Sequence, residues 1–169
     1  MDQIDHRLMS IKPPKFIHRM PRSINDLKHW KASEFKVFCF YYALPIFEGI
    51  MRFDYFQHLL KLICGLYILS CDSIDVNMVE VARDLLNCFI RDFEQLYGLR
   101  YCSINIHLLI HLPDSVKNLG PLWAHTCYES EDLNGQLLKL LHGTWHIDSQ
   151  LTRSQSQFIT MARFIELSA

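Results

Sequence analysis

The sequence predicts a mostly α-helical chain of five to seven helices. Three observations lead there. Apolar residues recur three and four apart over long stretches, the repeat of one helical face. Val and Ile fall at that same spacing rather than in the alternation a half-buried strand needs. Gly, Pro and Asp-Ser clusters divide the chain into helix-length pieces.

Residues 1–10 read as a short helix or a frayed end. Residues 11–22, Ile-Lys-Pro-Pro-Lys-Phe-Ile-His-Arg-Met-Pro-Arg, carry three prolines and read as extended, because proline and the residue before it avoid the helical region. Ser33 is a candidate cap for a helix whose apolar run Val37–Leu44 is expected to be buried nearly all round. Pro45 bends or restarts it and Gly49 weakens its end. Residues 53–70 form a second apolar helix, and Cys71-Asp72-Ser73 a turn. The best helix spans about 75–97, started by Ser73 or Asp75 and stopped by Gly98. Its apolar positions Val76, Val79, Ala82, Leu85, Leu86, Phe89, Ile90, Phe93 and Leu96 recur at three and four. Residues 103–112 read as a short helix ended by Pro113, and 114–119 as another ended by Gly120. Residues 130–142 and 148–167 complete the set.

Half of the 169 residues are hydrophobic, enough for a real core and too many for a disordered chain. The net charge of -1 points to no partner, but its distribution is uneven. Residues 1–36 hold eight Lys/Arg and four Asp/Glu, a balance of +4, and the remainder is at −5. A basic leading segment suits an arm along a phosphate backbone, with Lys15, Arg19, Arg22 and Lys31 as contacts. From charge alone a solvated, loosely ordered N-terminus is the plainer reading, since +4 over 36 residues is modest. The six cysteines include no C-x-x-C pair and lie mostly in apolar runs, where thiols act as small hydrophobes. With no secretory signal in view, an intracellular, reducing setting is expected. The longest apolar runs are too short or too interrupted to span a bilayer, so no membrane partner is expected.

Three constellations invite chemistry. His107 and His111 are four apart on a helix, so both imidazoles reach one face and one metal ion. Zinc needs two further ligands, or one and a water. Leu108 follows His107 where a metalloprotease motif has Glu. Two surface histidines are the plainer reading. Glu129, Glu131 and Asp132 sit at a helix start, where acids complement the helix dipole; one of them is alternatively a Mg²⁺ ligand, although two-metal chemistry needs carboxylates from several places. His142, Trp145 and His146 read as a helix end with Gly143 beyond the last turn.

Several blocks resemble one family. Phe16-Ile17-His18-Arg19-Met20-Pro21-Arg22-Ser23, Trp30-Lys31-Ala32-Ser33-Glu34-Phe35, and Phe93-Glu94-Gln95-Leu96-Tyr97-Gly98 come first. Asn105-Ile106-His107-Leu108-Leu109-Ile110-His111-Leu112 follows, then Gly120-Pro121-Leu122-Trp123-Ala124 and Glu131-Asp132-Leu133-Asn134-Gly135. In this order, over about residues 11–150, they resemble the C-terminal helical region of CACTA (En/Spm-like) DNA transposases.

The resemblance implies a helical insertion domain over 1–150, with an extended basic arm at 1–22, and a C-terminal helix at 151–169. It implies the helix edge of an RNase H-like (DDE) core whose strands are missing here. The parent activity is Mg²⁺-dependent DNA cleavage and strand transfer in the nucleus. Glu131 matches the catalytic, metal-binding glutamate. His107 and His111 match half of a structural zinc site completed by an upstream C-x-x-C. The two catalytic aspartates and that C-x-x-C are expected upstream of Met1, in a transposase core that would be the chain's partner along with DNA. Ser130 departs from the family pattern, which has an aromatic residue there. The isolated chain is therefore expected not to be catalytic. The alternative is a domesticated, non-catalytic helical module that binds DNA or protein.

Overall fold

The computed structural model describes residues 2–17, 19–126, 139, 143, 145–150, 152, 153 and 156. The chain divides into two compact units, Met1–His125 and Thr126–Ala169. The boundary expected after residue 150 falls inside the second. Among the described residues every regular element is helical.

The first unit opens with α1 (Asp2–Ser10). The proline-rich stretch runs without regular structure, with a turn at Lys15–Phe16, to a 3₁₀ turn, Ile24–His29. α2 (Ala32–Val37) passes into a π-helical stretch, Phe38–Tyr42, and then α3 (Ala43–Phe47). The run expected to be buried all round is not: Tyr42 and Ala43 are buried, but Tyr41 is 52% exposed. Pro45 does not restart the helix but lies within α3, which ends at Phe47 before Gly49 at φ +70°. α1 and this helical run enclose a core of Leu8, Tyr42 and Ile46, flanked by Trp30, Phe38 and Phe47. Arg7 fastens the two by donating to the carbonyls of Ile46 (3.0 Å) and Glu48 (2.6 Å) at the end of α3. These are acceptors that a helix C-terminus leaves without intrahelical donors.

α4 (Phe53–Ile68) and α5 (Val76–Tyr97) form an antiparallel hairpin. Asp75 caps α5 by accepting from the Met78 N–H at 2.8 Å, and Gly98, at φ +89°, ends it. The buried face of α5 is Val79, Ala82, Leu86 and Phe89, the three-and-four repeat read from the sequence. The helices approach closely at Gly65, where a Cβ would lie 3.0 Å from Leu86 Cδ2. Lys61 and Asp92 pair across the hairpin at 2.7 Å.

A 3₁₀ turn (Leu99–Tyr101) leads to α6 (Ile104–Leu108), a second 3₁₀ turn (Leu109–His111) and α7 (Leu112–Leu119). Pro113 does not end a helix here. It sits in the first turn of α7, where its missing N–H costs nothing. Val116 of α7 completes the second core with Leu69, Val79, Ala82 and Leu86. Arg83 binds Asp114 at 2.8 Å, tying α5 to α7, and a last 3₁₀ turn (Leu122–His125) returns to α4 through the Leu122 N–H to the Leu69 carbonyl, 2.9 Å.

No described helix is long and apolar enough to cross a membrane.

Candidate nucleic-acid and metal sites

Two acids, Glu34 and Asp5, fasten the basic segment to the fold. Arg22 forks onto Glu34, with Nε to Oε1 at 2.8 Å and Nη2 to Oε2 at 2.7 Å, and also donates to the His29 carbonyl at 2.7 Å. Such bidentate pairs are the most directional of ion pairs. Arg22 holds the Glu34 carboxyl below the usual carboxylate range. Glu34 also accepts from the Lys31 N–H at 2.9 Å, so it satisfies a backbone donor at the start of α2. Lys31, rather than Ser33, therefore occupies the cap position of that helix. Asp5 of α1 accepts from the Ile24 N–H at 2.9 Å, and the Trp30 indole donates to the Ser23 carbonyl at 3.2 Å.

The four cations named from the sequence thus have different surroundings. Arg22 is engaged in holding residues 22–34 together. Arg19 is 3.9 Å from Glu34 and its side chain is 56% exposed. Lys15 and Lys31 are exposed, as is Lys12. Within 11–22 there are four cationic residues and no acid. Sequence reasoning missed Glu34 as the organiser. Its position three residues after Lys31, at the third position of a helix, was the available signal. It also missed an exposed ring pair beside the cations, Phe16 and Tyr41, with centroids 5.9 Å apart. Nothing in composition marks a phenylalanine as outward-facing.

His107 and His111 come together as the spacing predicts. Their rings are 5.5 Å apart between centroids at 78°, and both residues are exposed. Two imidazoles on one surface form half of a tetrahedral donor set. No group of three metal-ligating side chains occurs among the described residues. Nearby in sequence, Asp114 is committed to Arg83, whose guanidinium lowers its pKa.

Glu129, Glu131, Asp132, His142 and the expected helix 130–142 lie outside the described residues, apart from isolated positions, as does most of 148–167. Trp145 is exposed, and the Gln150 N–H bonds the His146 carbonyl at 3.0 Å in a helical turn.

Comparison with protein-family models, with curated proteins and with solved structures finds no match to this chain.

Proposed function

We propose that the chain derives from a CACTA-type DDE transposase and acts as a helical DNA-binding module. Mg²⁺-dependent cleavage and strand transfer belong to the longer parent, where Glu131 is one metal ligand of three. The observation that carries the DNA-binding reading is the acid-free cationic segment 11–22, anchored through Arg22 so that Lys12, Lys15 and Arg19 face solvent. A polyanion meets cations already fixed relative to a folded body, which lowers the ordering cost of binding. His107 and His111 suit zinc by donor type, and zinc there would cross-link α6 and the 3₁₀ turn after it to ligands supplied by the transposase core. Nuclear location follows from the same reading.

The test is duplex DNA binding by the 169-residue chain across a salt series. Binding is expected to weaken as salt rises. Replacing Lys15, Arg19 and Lys31 together by Gln is expected to lower the log–log salt slope by roughly one per cation. Glu131→Ala is expected to leave affinity unchanged. Absence of binding to duplex and to single-stranded DNA alike at low salt sinks the reading.

A further inference from the structure

We propose that the outward pair Phe16–Tyr41 is a stacking platform for unpaired bases, so that the module prefers single-stranded over duplex DNA. This inference rests on the DNA-binding reading above and narrows it.

The two rings come from separate parts of the fold. Phe16 lies in the proline-held turn and is 64% exposed, and Tyr41 lies in the π-helical stretch and is 52% exposed. Their centroids are 5.9 Å apart with planes tilted by 59°, and at these exposures both residues leave surface open to solvent. Tyr42, the next residue, is buried with 5% exposure, which fixes the outward setting of Tyr41. Large apolar rings held in water are unfavourable unless a partner covers them.

Charge selects the partner. Lys15 adjoins Phe16 in sequence, Lys12 and Arg19 flank it within four residues, and the segment has no acid. Of the acids beside it, Glu34 is occupied by Arg22 and Asp26 also acts on Arg22, which leaves Lys12 and Lys15 as exposed cations. A ligand here must bring both negative charge and flat apolar faces. A single strand does so, because its phosphates follow the cations while its bases are free to stack. A duplex offers the same phosphates but keeps its bases stacked internally.

The experiment compares a labelled twelve-nucleotide thymidine strand with a duplex of the same length, by fluorescence anisotropy at low salt. The proteins are the full chain, Phe16→Leu and Tyr41→Leu. Leucine keeps an apolar side chain at an exposed position, so folding is retained, and far-ultraviolet circular dichroism checks this. The single strand is expected to bind about tenfold tighter than the duplex. Each leucine variant is expected to lose about five- to tenfold on the single strand and less than twofold on the duplex. Single-strand affinity unchanged in both variants, with duplex binding intact, overturns the platform and leaves the DNA-binding reading standing. Binding of neither form overturns both. Loss of affinity equal on the two forms also overturns the platform, since it reports altered phosphate contact.

Discussion

Leu86→Ala is expected to lower the folding stability of the first unit by about 2–5 kcal/mol, the range for emptying a buried leucine site. Leu86 has no exposed surface and lies among Leu69, Val79, Ala82 and Val116, so α4, α5 and α7 all rest on it. Opposite it stands Gly65, which has no side chain to move into the space. The cavity therefore collapses poorly, favouring the upper part of the range. Urea unfolding followed by circular dichroism measures the loss. Leu86→Met, which conserves volume, is expected to cost less than about 1.5 kcal/mol. Equal small losses in both variants would contradict the packing described.

Stability is also expected to fall as pH drops below about 6.5, the unperturbed histidine value, through His58. This residue is 1% exposed between α4 and α5 and stacks on Phe89 at 4.1 Å. Its Nε2 lies 2.7 Å from the Phe89 carbonyl, which only accepts, so Nε2 carries the proton. The neutral tautomer then leaves Nδ1 to accept from the Tyr97 hydroxyl at 3.3 Å. Burial pushes the His58 pKa down, the Phe89 carbonyl opposes that, Lys61 adds to it and Asp92 opposes it. The folded state thus binds the proton less readily than the unfolded chain. Above the unfolded pKa both states are neutral and the contribution of His58 is complete. Below it the unfolded chain takes up the proton first, and stability declines until the folded pKa is reached. The slope from one such group is at most about 1.4 kcal/mol per pH unit. His58→Gln keeps a donor for Phe89 but does not titrate. The difference between the two proteins is expected to shrink on acidification, and parallel pH profiles would contradict the assignment.

The fold was legible where one helical face carries all the information. α5 is the best case: its apolar repeat contains all four buried residues, though Val76 of that repeat is exposed, and of the two starts, Ser73 and Asp75, Asp75 caps it while Gly98 stops it. The His107–His111 juxtaposition was legible for the same reason, since it depends only on local spacing. The π-helical stretch was not, because a shift in hydrogen-bond register within Phe38–Tyr42 leaves no mark on composition. Pro113 was misplaced because proline ends one helix and begins another with equal ease, and only the following turn decides. Arg22 counted as a DNA contact in the sequence, yet Glu34 claims it from twelve residues away, a tertiary pairing that charge counting does not reveal. The RNase H-like edge and the role of Glu131 rest on the resemblance alone.

The central claim is a chain that holds DNA without cutting it. The most direct measurement incubates the purified 169-residue protein with an end-labelled duplex in Mg²⁺. One portion is run on a native gel and another on a denaturing gel. The account predicts a shifted complex whose strands are full length, with the same pattern for Glu131→Ala. Strand cleavage by the wild-type chain, abolished by Glu131→Ala, would contradict it.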